Sequence, residues 1–144
     1  MEIELLLVED NISDAELTIR SLKKVGLANT MLHVKDGAEA LDYIFSKGEY
    51  VDRNSIKNPK LILLDIKMPK VDGIEVLRQI KNNEATRNIP VVIMTSSKEE
   101  QDIITSYSLG ANSYIVKPVN FEGFCKAVAD LGSYWLINNQ PPIS

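Results

Sequence analysis

Residues 61–65, Leu-Ile-Leu-Leu-Asp, constrain the fold of this chain more than any other stretch. Four consecutive apolar residues without polar alternation suit a short strand buried on both faces, as in a parallel sheet covered by helices. Pro69 and then Asp72-Gly73 break the strand pattern, so Asp65 falls where strand becomes loop. In open α/β sheets that edge is where ligands bind. A lone acid just past a strand is ordinarily a surface group. The significance of Asp65 depends on what else reaches the same edge.

The rest of the chain alternates short apolar runs with amphipathic segments. Further strands are predicted over residues 3–8, 30–34, 89–94 and 113–116. Helical spacing covers 14–25, with Ser13 and Glu16 resembling a capping box and Gly26 as the stop. A second helix begins at Asp36-Gly37, with Ala38, Leu41, Ile44 and Phe45 expected inward. The third spans 73–82, with Ile74, Leu77 and Ile80 on its apolar side; the fourth spans 98–109 and the fifth 121–138. Residues 46–59 lack a period and read as a long surface loop, and 139–144 as a loose tail. Five strand–helix pairs imply an α/β fold, a doubly wound five-stranded parallel sheet with helices on both faces. Right-handed crossovers favour the flavodoxin-like order 2-1-3-4-5. Strands one and three are then neighbours, which sets Glu9-Asp10 beside Asp65.

Converging carboxylates must be neutralised or have their ionisation shifted. A hard divalent cation does this, and Mg²⁺ binds one or two carboxylates while keeping several waters. Strand four ends in Met94-Thr95-Ser96-Ser97 and strand five in Val116-Lys117-Pro118, adding hydroxyls and one ammonium at the same edge. Acids for a metal, a hydroxyl and a fixed cation together suit a phosphoryl group on oxygen. The Lys117-Pro118 bond is open to either isomer, the cis form aiming the ammonium inward. A net charge of −4 over 144 residues argues against nucleic acid as a main partner. The single Cys125 excludes a disulfide framework and suits a reducing interior. The first apolar run has no basic residues before it and is too short for a signal peptide or a membrane span, so a cytoplasmic domain is expected.

With these residues in place the chain resembles the receiver domain of two-component response regulators, over residues 1–138. The resemblance implies that Glu9 and Asp10 hold Mg²⁺ and that Asp65 accepts the phosphoryl group. It further implies that Thr95 is the switch hydroxyl, Lys117 the site lysine and Tyr114 the switch aromatic. The main-chain carbonyl of Lys67 would complete the metal shell, and Met68-Pro69 with Asp72-Gly73 fit the family's loop after the acceptor. The partner would be a sensor histidine kinase whose phosphohistidine Asp65 attacks. Leu7-Val8-Glu9-Asp10-Asn11 with Asp14, the loop before strand three and the aromatic last helix resemble single-domain receivers paired with phytochrome-like kinases. No output domain follows the fifth helix, so the receiver surface itself, or onward phosphate relay, is expected to carry the output.

Two rival readings use similar residues. A Mg²⁺-dependent phosphatase with an aspartyl nucleophile needs an acid two residues after it, where this chain has Lys67. A flavodoxin-like cofactor carrier needs a Ser/Thr/Gly-rich phosphate loop after strand one, where this chain has Glu9-Asp10-Asn11. Elsewhere ordinary roles suffice. His33 reads as a packed or surface side chain far from the site, and Tyr50 as a loop anchor. Cys125 reads as a packed residue among Phe121, Phe124 and Val128. Glu99, Glu100 and Asp102 suit the dipole of the fourth helix. On the fifth helix, Phe121, Phe124, Cys125, Val128 and Trp135 are expected to form the core stripe, leaving Ala127, Leu131 and Tyr134 at its edge. Ile103, Ile104 and Tyr107 add apolar surface on the fourth helix. The surplus covers either the long loop and tail or a homodimer interface of the fourth helix, fifth strand and fifth helix.

Overall fold

The computed structural model describes residues 2–53 and 58–141. In chain order the elements are β1 (Leu5–Val8), α1 (Ile12–Lys24), β2 (Met31–Val34), α2 (Gly37–Ile44), β3 (Leu61–Leu64), α3 (Gly73–Lys81), β4 (Val91–Thr95), α4 (Glu100–Ser108), β5 (Ser113–Val116) and α5 (Phe121–Ser133). A π-helical turn, Tyr134–Asn138, prolongs α5. All strand pairs are parallel, in the order β2-β1-β3-β4-β5. The expected topology is therefore the observed one.

The apolar runs of β1, β3 and β4 are buried throughout because helices cover both faces, whereas β2 and β5 at the sheet ends are mostly half-buried. Side chains alternate between two cores. Leu5, Leu7, Leu61, Leu63, Val92 and Met94 pack with Ala15 and Leu22 of α1 and with Phe124, Val128 and Leu131 of α5. Leu6, Val8, Ile62, Leu64, Val91 and Ile93 pack with Ala40, Tyr43 and Ile44 of α2 and with Val76, Leu77 and Ile80 of α3. Burial of each such Val, Leu, Ile, Phe or Met side chain contributes about 1.5–3 kcal/mol before the entropy of ordering is counted.

Several local expectations change. Asn11, not Ser13, caps α1: its side chain accepts from the Asp14 amide at 2.9 Å, so the helix starts earlier and Asp14 falls in its first turn. In α2 the inward face is Gly37, Ala40, Tyr43 and Ile44, while Leu41 and Phe45 pack partly buried at its flank. The cause is the close approach at Gly37, where a Cβ would run into the Val71 carbonyl. In α5, Leu131 is buried and Phe121 is exposed, because Phe121 opens the helix while Gly132 packs on Leu22 and Leu27 of the α1 side. Trp135 packs partly buried against the same core.

The segment after α2 carries a 3-10 turn, Gly48–Tyr50; its residues 54–57 lie outside the described part, as do residues 142–144 of the expected tail. Tyr50 anchors it as expected, donating to Glu39 Oε2 at 2.8 Å and meeting Tyr43 edge-on. Among the described residues no helix is long and apolar enough to cross a membrane.

Candidate functional site

Strand parity places the site. Continuing Leu5-Leu7 by two residues sets Glu9 toward α1 and α5, and continuing Leu61-Leu63 sets Asp65 on the same side. Register brings the two strand ends together, since Val8 pairs with Leu64 and the Asp65 amide donates to the Val8 carbonyl. Lys117, two residues after Ile115, comes from the same face of β5. Its ammonium lies 2.8 Å from Glu9 Oε1, 2.8 Å from Asp14 Oδ2 and 2.9 Å from Asp65 Oδ2. Glu9, Asp65 and Lys117 side chains are each less than a tenth exposed. Pro118 follows in a trans bond, so the inward aim of Lys117 comes from its strand position.

The loop after β3 turns tightly over Asp65. The Gly73 amide donates to the Ile66 carbonyl at 3.1 Å, and a Cβ at Gly73 would press on the Asp65 carbonyl and stand 2.6 Å from Ile66 Cα. This turn lets the Lys67 amide donate to Asp65 Oδ1 at 3.1 Å.

Burial raises the proton affinity of both buried acids, yet they part company. At Asp65 it is outweighed by the Lys117 ammonium, the Lys67 amide and the Thr95 hydroxyl, which together hold the carboxyl below its ordinary range. Glu9 also has Lys117, but its other bond is a longer one, 3.2 Å from the Asn11 amide, and Asp65 repels its charge. Its carboxyl is pushed up to about 7, chiefly by burial. Burial opposes the charge of Lys117, but Asp14, Glu9 and Asp65 overcome it and hold the ammonium well above its usual range.

Glu9, Asp10 and Asp65 each offer a carboxylate oxygen, all within 4.8 Å of one another, and Asp10 is exposed at the mouth. Three hard oxygen donors at that separation fit a divalent cation, with the exposed side left for water. Thr95, fully buried, ends β4 with the parity of Val91 and Ile93, on the α2–α3 side. Tyr114 packs on that same side, and its hydroxyl donates to the Ser97 carbonyl at 3.0 Å.

The response regulator receiver domain matches residues 5–129 of this chain. The chain belongs to the response regulator receiver family. The probable methanogenesis regulatory protein FilR2 of Methanothrix harundinacea is 40% identical over 138 residues, covering 96% of this chain and 86% of that protein. Response regulator Rcp1 of Synechocystis is 41% identical over 132 residues, covering 92% and 88%. The crystal structure of the Mn(2+)-bound form of Rcp1 superposes with a TM-score of 0.88 at 38% identity, covering 96% and 98% of the chains. That of the phosphorylated cyanobacterial phytochrome response regulator RcpA gives 0.90 at 36% identity, covering 99% and 100%. This receiver is therefore a response regulator of two-component signalling, and neither the phosphatase nor the cofactor-carrier reading is supported.

The structure gathers Glu9, Asp10, Asp65 and Lys117 at one sheet edge, sets Thr95 and Tyr114 on the other face, and gives Asp14, His33 and Asp102 contacts that the sequence did not assign. Asp14 joins Lys117, a contact signalled by its place one turn after the Glu9-Asp10 pair. His33 is not remote: its Nε2 lies 2.8 Å from the Glu9 carbonyl oxygen, so that nitrogen carries a proton and steadies the strand end. Asp102 does more than suit the helix dipole, because it binds the Ser97 hydroxyl and the Lys67 ammonium.

The position of Glu9 makes the metal-free receiver sensitive to pH. Its folded carboxyl holds a proton to about pH 7, against an ordinary value of 4.5, so the folded state binds more protons between those limits. Its contribution is complete below the ordinary value and is lost as pH rises through the folded one. In EDTA, wild type is expected to lose stability relative to Glu9→Gln between pH 5 and 7.5, read from urea midpoints. Parallel pH profiles would contradict this electrostatic assignment.

Proposed function

We propose that Asp65 of this receiver accepts a phosphoryl group from the phosphohistidine of a sensor histidine kinase. The observation that carries this is the Lys117 ammonium at 2.9 Å from an Asp65 carboxylate that also stands within the Glu9-Asp10-Asp65 cluster. An Asp65 oxygen forms a bond to phosphorus as the bond to the donor imidazole nitrogen breaks, and the nitrogen keeps the electron pair. Asp65 suits the role because its neighbours keep it ionised. Lys117 follows the charge from the carboxylate oxygen onto a phosphoryl oxygen, and the Thr95 hydroxyl donates to another. Glu9, Asp10, Asp65 and the Lys67 carbonyl would hold Mg²⁺, which neutralises charge building on the transferring group when bound. Turnover is confined to self-phosphorylation from small donors and slow loss of the phosphoryl group.

Readout follows from the second face of the sheet. A phosphoryl on Asp65 draws Thr95 toward it, and Tyr114, bonded to the neighbouring Ser97, adjusts with the loop between β4 and α4. The signal then leaves through α4, β5 and α5, with a free-energy shift of a few kcal/mol needed to move a minor state to dominance. A phytochrome-like kinase is the partner suggested by the likeness to Rcp1 and RcpA. Ile12, which opens α1 after Asp10-Asn11, and Val119, two residues after Lys117, are exposed apolar side chains available to a docking partner. The cytoplasm, home of such kinase domains, suits the lone thiol Cys125.

Incubation with acetyl phosphate and Mg²⁺, followed by intact mass, tests the acceptor directly. Wild type is expected to gain one phosphoryl group and Asp65→Asn none; gain by both would place the acceptor elsewhere.

A homodimer through α4, β5 and α5 is the proposed form of the output. Ile104, Tyr107 and Tyr134 are about half exposed, and β5 is the end strand of the sheet. Sedimentation at micromolar concentration is expected to show a dimer that Ile104→Asp dissociates. A monomeric wild type, with or without acetyl phosphate, would contradict it.

A further inference from the structure

Beside the carboxylate cluster, a second charged group bridges the loop after β3 and the first turn of α4. One oxygen of Asp102, Oδ2, accepts from the Ser97 hydroxyl at 2.6 Å and pairs with the Lys67 ammonium at 3.3 Å. Lys67 is thus held twice, by its amide on Asp65 Oδ1 and by its side chain on Asp102. Ser97 is held as firmly: its amide donates to Thr95 Oγ1 at 3.4 Å and its carbonyl accepts from Tyr114. The Glu99 amide donates back to the Ser97 hydroxyl at 3.3 Å. Both contacts fall on the same carboxylate oxygen, Asp102 Oδ2.

We propose that Asp102 is a positioning residue that holds the Lys67 ammonium off the phosphoryl face of Asp65 and so sets how fast the phosphoryl group is lost to water. This rests on Asp65 being the phosphoacceptor. In the loss step a water oxygen bonds to phosphorus in line with the Asp65 oxygen. The bond to Asp65 breaks with its electron pair returning to the carboxylate, and the water's proton leaves with inorganic phosphate. A phosphoryl group on Asp65 offers Lys67 a second, more highly charged anion within reach of its backbone. The single ammonium serves Asp102 or the phosphoryl oxygens, and in the second position it covers the line of water approach. An ion pair in which the lysine is 58% exposed is weak, so the two partners compete closely. Asp102 tips that competition toward an open face and a shorter-lived phosphoryl group.

The test is the rate of phosphoryl loss after removal of acetyl phosphate, followed by intact mass with Mg²⁺ present. Wild type, Asp102→Asn, Asp102→Glu, Lys67→Ala and the Lys67→Ala/Asp102→Asn pair are compared. Asp102→Asn is expected to lose the group about three- to five-fold more slowly, the size set by an exposed ion pair. Asp102→Glu should keep the wild-type rate, and Asp102→Asn should have no effect once Lys67 is alanine. Slowing of equal size in the Lys67→Ala background would overturn the proposal, as would an unchanged rate in Asp102→Asn. A wild type that gains no phosphoryl group would remove the acceptor reading and this proposal together. Phosphoryl gain with an indifferent Asp102→Asn removes this proposal alone.

Discussion

One buried ammonium organises the site. Lys117 touches Glu9, Asp14 and Asp65, which come from the ends of β1 and β3 and the first turn of α1. Without a cation, two nearly buried carboxylates side by side could not both remain ionised. The ammonium therefore stabilises an arrangement of charge that hydrophobic packing alone would not tolerate. Under the proposed function, a divalent ion or a phosphoryl group would act on these same charges.

The alternation of side chains along the strands divides the labour. Glu9, Asp65 and Lys117 share the side that packs on α1 and α5, while Thr95 and Tyr114 share the side that packs on α2 and α3. Asp65 stands at the sheet's edge, where Thr95 reaches it from across that divide. One hydroxyl at the sheet edge and the loop after β4 thereby connect the two faces. That loop already joins Ser97 to Tyr114 and to Asp102 of α4.

The features legible from sequence were those set by period and order. Unbroken apolar runs identified the central strands, strict alternation with helices set the strand order, and strand ends then collected Glu9, Asp10, Asp65, Thr95 and Lys117. Less legible were features decided by close contact between elements. The inward face of α2 depended on Gly37 meeting Val71, and the face of α5 on Gly132 meeting Leu22. Asn11 and Ser13 are comparable caps by residue type, and the structure uses Asn11. His33 looked remote because its strand lies at the sheet's end, yet β2 neighbours β1 and brings its ring to the Glu9 carbonyl. Asp102 looked like a dipole acid because its partners lie in other loops.

The most direct test of the central role of Lys117 is the urea stability of Lys117→Met at pH 7.5, measured in EDTA and again with saturating Mg²⁺. Removing one partner of a buried ion pair costs about 3–5 kcal/mol, and a loss of that order is expected in EDTA. Much of it should return with Mg²⁺, because a second cation then meets Glu9 and Asp65. A Lys117→Met protein as stable as wild type in EDTA would contradict the account, since the carboxylates would then be held together by something other than this ammonium.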